Sequence, residues 1–176
     1  LIRRLRQWQW GQYIREEGPK HHQQKAGTPT MGGLLIILAV SVAVLLWANL
    51  AELYPWVALF TLWSFGALGF WDDWAKLRKR RNLGLTGRGK LLAQTAIILV
   101  IGLTLMYLRH RGLFSTEVWF PFFKWLHPDL GWWYLVFLWF VLAGASNAVN
   151  LTDGLDGLAI GSVLFASAAL TGFAYV

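Results

Sequence analysis

Gly131-Trp-Trp-Tyr-Leu-Val-Phe-Leu-Trp-Phe-Val-Leu-Ala-Gly-Ala-Ser-Asn-Ala148 is an uncharged, mostly apolar segment that runs straight into Val149-Asn-Leu-Thr-Asp-Gly-Leu-Asp-Gly157 before hydrophobicity resumes. It approaches the length of about 20 apolar residues needed to cross a hydrocarbon core. Backbone in lipid must satisfy its own hydrogen bonds, so a segment of this kind folds as a helix. It also lacks the alternation of a membrane barrel strand. The carboxylates and carboxamides that follow sit among glycines at the edge of the span, and such a polar knot at a membrane boundary suggests a site.

Working outward, similar runs occur near Met31 to Ala51, Trp56 to Trp71, Leu91 to Leu108 and Gly157 to Val176. The Trp56 run is short, but flanking aromatics extend it into the interface. The 176 residues are 56% hydrophobic and only 14% charged, with 12 tryptophans, outside the range of an ordinary soluble domain. The expected fold is an all-α polytopic membrane protein with about five transmembrane helices: a cytoplasmic juxtamembrane segment over residues 1–30, then a transmembrane domain from 31 to 176. With no cysteine, disulfide frameworks and thiolate metal sites are excluded. The chain starts at Leu1 without an initiator Met and stops at Val176 inside an apolar run, which reads as a fragment that continues beyond 176.

The net charge of +7 could suggest nucleic acid. The basic residues interrupt the spans instead of forming one groove-lining surface, so the reading is positive-inside and no nucleic-acid partner is expected. Arg3, Arg4, Arg6, Arg15, Lys20 and Lys25 precede the first span, and Lys76, Arg78, Lys79, Arg80, Arg81, Arg88 and Lys90 lie between the second and third. Both groups belong on the cytoplasmic side. Alternation then puts the Ala51 to Pro55 turn and the Arg109 to Leu130 loop outside, and the Asn150 to Asp156 knot inside. Leu1 to Ile14 mixes arginines with Leu5, Trp8, Trp10 and Tyr13, which fits a helix lying on an anionic surface or the extension of a preceding span.

Three polar elements therefore share one membrane face. Lys25-Ala-Gly-Thr-Pro-Thr-Met-Gly-Gly33 combines close-approach glycines, a proline and hydroxyls at a helix start. With the Lys25 charge beside exposed amides it suits an anion, and equally an ordinary turn and N-cap. Phe70-Trp-Asp-Asp-Trp74 places two carboxylates at the cytoplasmic end of a helix, where they repel each other and oppose the macrodipole. Solvation, or neutralisation by Lys76, Arg78 and Lys79, would make them harmless; otherwise they face a divalent cation or a substrate proton. Adjacent helical residues point about 100° apart, so Asp72 and Asp73 are expected to do different jobs. In the third element, Asn150, Asp153 and Asp156 recur at a spacing of three and share a face if a helix begins near Leu151. An N-cap with a small-residue seam explains the aspartates but not Asn147 and Asn150.

No nucleophile triad is visible, and His21, His22, His110 and His127 show no metal-ligand spacing. His21 and His22 fall on the face of the polar elements; His110 and His127 fall outside, as structural or solvated residues. Trp47, Trp56, Trp119, Trp132 and Trp133 read as interface anchors.

Taken together, Gly18-Pro19, the Lys25 to Gly33 element, Gly69-Phe-Trp-Asp-Asp73, Thr86-Gly-Arg-Gly-Lys90 and Asn147 to Ala159 resemble the phospho-N-acetylmuramoyl-pentapeptide transferases over nearly the whole chain. The Asp-Asp pair and the Asn-Asp-Gly knot are shared with the wider superfamily of polyprenyl-phosphate sugar-1-phosphate transferases, and Thr-Pro-Thr-Met-Gly-Gly narrows the resemblance to the muramoyl branch. The resemblance implies a ten-helix enzyme of the bacterial inner membrane, active on the cytoplasmic face in peptidoglycan synthesis. Its partners would be UDP-MurNAc-pentapeptide, undecaprenyl phosphate, membrane lipid and a second copy as a homodimer, with Mg2+ as cofactor and lipid I and UMP as products. It makes Asp72 the group that prepares the lipid phosphate and Asp73 the organiser of the lysines and the cation. Direct attack is preferred over a covalent aspartyl intermediate, which would give ping-pong kinetics. Lys25, Lys76 and Lys90 would meet the diphosphate. Lys25, Thr30, Asn150, Asp153, Gly154, Leu155 and Asp156 match positions around the uridine nucleotide, and Asn150 and Asp153 are the metal-ligand candidates. A further acidic ligand and a histidine-rich motif are expected beyond residue 176.

The alternatives are a sister transferase using UDP-GlcNAc or UDP-GalNAc, an ion-coupled transporter, or a non-catalytic membrane scaffold. A transporter site should lie near the bilayer midplane on broken helices; here the carboxylates gather at one face.

Overall fold

The computed structural model describes residues 32–79, 84–120, 122–123, 125–152 and 158–175. The described residues contain the helices α1 (Gly33–Trp47), α2 (Leu53–Lys79), α3 (Gly87–His110), α4 (Tyr134–Thr152) and α5 (Leu158–Tyr175), with a 3-10 turn over Gly131–Trp133 leading into α4. Among these residues there is no strand, and the fold is the expected all-α membrane architecture. The segments Leu53–Lys76, Gly87–His110, Gly131–Thr152 and Leu158–Tyr175 are long and apolar enough to cross a membrane. The chain is a multi-pass membrane protein.

Helix boundaries differ from the sequence expectation, first in α1 and α2. The first run was expected to span from Met31 to Ala51, but α1 has 15 residues and, among the described residues, is a shorter apolar helix than the other four. It stops because Asn49 offers its backbone a local alternative: its Oδ1 accepts the Ala51 N–H at 3.2 Å and its carbonyl accepts the Glu52 N–H at 3.1 Å. The second run, expected to end at Trp71, continues as helix to Lys79. Ala75, Lys76 and Arg78 are good helix formers, and cations in the last turn favour the macrodipole. Asp72 and Asp73 therefore lie within a continuous helix about two turns before its end.

The chain forms two compact units, residues 1–101 and 102–176. In the first, α1 and α2 pack as an antiparallel pair. Trp63 donates its indole N–H to Ser41 Oγ at 3.0 Å, and Ser41 in turn donates to the Ile37 carbonyl at 2.7 Å, so the buried hydroxyl is satisfied on both sides. One turn on, Gly66 faces Ile37, whose Cδ1 occupies the space a Cβ would need.

In the second unit, Leu105, Met106, Leu108, Leu138 and Ala143 are buried. Gly102 lets Leu135 approach, since a Cβ there would meet Leu135 Cδ2 at 2.5 Å. Gly112, at φ +73°, ends α3: the Leu113 N–H reaches the Leu108 carbonyl and the Gly112 N–H the Arg109 carbonyl, both at 2.9 Å, a Schellman closure. The following loop carries a small hairpin. Glu117 and Asp129 form an antiparallel bridge, Val118 N–H donates to the Pro128 carbonyl and Phe120 N–H to the Leu126 carbonyl. Asp129 fastens its base, accepting hydrogen bonds from the fully buried Thr116 hydroxyl, the Gly131 N–H at 3.0 Å and Arg109 Nη2 at 2.7 Å. These contacts, the Thr116 hydroxyl foremost, hold the Asp129 carboxyl down at about 2. His127, read as structural or solvated, is half exposed and stacks on Trp119 with ring centroids 4.6 Å apart.

Candidate functional site

Because α2 continues past Asp72 and Asp73, Lys76 falls one turn beyond both and reaches back to each. Its ammonium lies 2.7 Å from Asp72 Oδ2 and 3.1 Å from Asp73 Oδ1, the i,i+4 and i,i+3 pairings of a helix surface. One cation thus bridges two adjacent carboxylates and relieves their repulsion. The expected neutralisation by a following lysine is present, and Lys76, expected to meet a diphosphate, retains one of its three N–H donors for another partner.

The two aspartates differ as their orientations require. The Asp72 side chain is 16% exposed and that of Asp73 39%. Asp72 Oδ1 accepts the Leu85 backbone N–H at 2.7 Å, so the α2–α3 connection closes over this carboxylate. Gly84 lies against it: a Cβ there would overlap Asp72 Oδ1 and stand 2.7 Å from Asp72 Cγ and 2.9 Å from Lys76 Cε. Thr86 starts α3, accepting the Gly89 N–H on its hydroxyl at 3.2 Å and the Lys90 N–H on its carbonyl at 2.9 Å. That cap brings α3 in at Gly87, four residues before the expected Leu91. Lys90 lies in this first turn, close enough for its charge to act on Asp72. Gly84 and Leu85 were not anticipated from sequence; the available signal was a glycine two residues ahead of a threonine N-cap.

Of the third element, the described residues Asn147 to Thr152 lie on α4, and α5 covers Leu158–Tyr175. On α4 the polar side chains bond back to carbonyls one turn earlier, Asn147 Nδ2 to Ala143 at 2.9 Å and Thr152 Oγ1 to Ala148 at 2.8 Å. Asn147, which the capping account left unexplained, is satisfied in this way. Asn150 is exposed on the last turn of α4. Lys25, Thr30, Asp153, Gly154, Leu155 and Asp156 lie outside the described residues. The structure therefore brings Asp72, Asp73, Lys76 and Lys90 together in the first unit. Among the described residues, no three Asp, Glu, His or Cys side chains gather where they could hold a metal ion. Asp73 meets Lys76 through Oδ1.

A membrane-boundary cluster of acids and lysines, closed by a backbone loop and lacking a nucleophile triad, is suited to binding and orienting charged phosphate groups. The model of glycosyl transferase family 4 matches residues 55–176, and the phospho-N-acetylmuramoyl-pentapeptide-transferase signature 1 matches residues 25–37. The chain belongs to glycosyl transferase family 4. It is similar to proteins named phospho-N-acetylmuramoyl-pentapeptide-transferase in several bacteria. That of Solidesulfovibrio magneticus is 53% identical over 172 residues, covering 98% of this chain and 47% of the relative. That of Desulfosudis oleivorans is 52% identical over 175 residues, covering 99% and 48%. That of Koribacter versatilis is 48% identical over 191 residues, covering 100% and 50%. The chain spans about half the length of the curated relatives it matches.

Proposed function

We propose that the full-length protein transfers phospho-MurNAc-pentapeptide from UDP-MurNAc-pentapeptide to undecaprenyl phosphate on the cytoplasmic face of the bacterial inner membrane, giving lipid I and UMP. The observation that carries this reading is the Asp72–Lys76–Asp73 bridge under the Gly84–Leu85 loop, in a chain that also carries the muramoyl-transferase signature. An oxygen of the lipid phosphate bonds to the phosphorus that bears the sugar, and the phosphoanhydride bond to UMP breaks. Both reactants are anions, so the catalyst's work is positioning and charge stabilisation.

Asp72 orients the incoming lipid phosphate, which is already largely ionised at neutral pH and needs little help from a base. Asp73 holds Lys76 through Oδ1. Lys90 and Lys25 meet the diphosphate, while Thr30, Asn150, Asp153, Gly154, Leu155 and Asp156 surround the uridine nucleotide. As to a metal, oxygen-only donors at this boundary fit a hard cation. Asn150 and Asp153 would hold Mg2+, and the ion would neutralise charge on the diphosphate. A homodimer is part of the same proposal.

The test is magnesium-dependent UMP release by the full-length protein in lipid or detergent, with undecaprenyl phosphate and either UDP-MurNAc-pentapeptide or UDP-GlcNAc. Release with the muramoyl donor alone is expected. Release with UDP-GlcNAc would move the protein to a sister transferase, and no release from a folded sample would overturn the reading.

A further inference from the structure

We propose that Gly84 and the Leu85 backbone amide form a positioning clamp that fixes the Asp72 carboxylate; this rests on the reading that Asp72 acts in transfer. Three constraints meet on that one group. Lys76 holds Oδ2 at 2.7 Å from the same helix, and the Leu85 N–H holds Oδ1 at 2.7 Å from the connection to the next. Gly84 closes the remaining side at a distance that excludes a methyl group. A carboxylate hinged on two torsions would otherwise sample several orientations. Held at both oxygens it has one, and each oxygen keeps a further lone pair for a ligand.

The clamp is itself anchored. Thr86 caps α3 directly after Leu85, so the position of the amide is tied to the start of a 24-residue helix rather than to a free loop. Gly84 is a positioning residue: it contributes no functional group, and its value lies in the missing Cβ. The neighbouring Gly87 is different, since a Cβ there would meet nothing within 4 Å.

The experiment compares Gly84→Ala, Gly87→Ala and Leu85→Pro in the full-length protein, following UMP release and thermal unfolding. Gly84→Ala should lower kcat by about 10-fold to 100-fold, the scale of an ångström-level misplacement, with KM for the nucleotide donor changed less than twofold. Leu85→Pro, which removes the N–H without adding bulk at residue 84, should act in the same direction. Gly87→Ala should match the parent. In a Tm cycle, Gly84→Ala should cost stability in the parent and little in an Asp72→Ala background, where the methyl group has room. Wild-type kcat in folded Gly84→Ala, or equal losses in Gly84→Ala and Gly87→Ala, would overturn the clamp. Should Gly84→Ala not fold, Leu85→Pro decides, and normal kcat there overturns it too. Asp72→Asn separates the two ideas. If Asp72→Asn is inactive while Gly84→Ala is normal, the clamp alone fails; if Asp72→Asn is normal, the role of Asp72 fails first.

Discussion

At the scale of single residues, Asp72 and Asp73 share a sequence signal and little else. Asp72 is enclosed, with an oxygen toward each of two donors; Asp73 is more exposed and touches Lys76 through one oxygen. An Asp72→Asn replacement keeps the shape and can still accept the Leu85 N–H, but it turns an amide donor toward the Lys76 ammonium. The expected outcome in the full-length protein is loss of turnover by at least about 100-fold, with a stability cost near 1 kcal/mol, the size of one partly screened polar contact. Near-normal turnover in a folded variant would remove Asp72 from the mechanism. The pair was legible in sequence because two adjacent acids next to an apolar run have no local stabilising reason. Leu85 was not, because its contribution is a backbone amide and any side chain would supply it.

At the scale of elements, the Arg109 to Leu130 connection shows how a loop of ordinary appearance acquires a fixed form. Its order comes from Gly112 in a left-handed conformation and from Asp129, which collects a hydroxyl, an amide and a guanidinium. The folded Asp129 carboxyl titrates at about 2 against an ordinary value of 3.8. Depression on folding means that this contribution is complete above 3.8 and is lost as the pH falls through about 2. A carbon-detected NMR titration of the Asp129 carboxyl in micelles should find its midpoint near 2; a midpoint near 3.8 would mean the three donors do not hold the charge in solution. The helices themselves were readable from apolar run length alone. Two of their ends were not, since Asn49 and Thr86 decide them through hydrogen bonds that run length does not register.

At the scale of the whole molecule, the positive-inside pattern makes a topological prediction for the first unit. The turn before α2 and the start of α3 should lie on opposite faces of the membrane. Since the chain has no cysteine, single replacements report cleanly on it. In sealed vesicles of known orientation carrying this chain, Arg88→Cys should react with an impermeant maleimide only from the cytoplasmic side and Glu52→Cys only from the other. Labelling of both from one side would refute the assignment.

The short α1 has a consequence for the lipid around it. Fifteen helical residues provide about 22 Å of length, against a hydrocarbon core of about 30 Å. Its packed neighbour α2 has 27 residues, about 40 Å. The apolar part of α2 before Asp72, Leu53 to Trp71, is about 28 Å long and fits that core, so the mismatch lies at α1, beside which the lipids thin at fractions of a kcal/mol per ångström. Acyl-chain length therefore becomes a variable of this protein's stability, and membranes of different thickness will hold the α1–α2 pair under different strain.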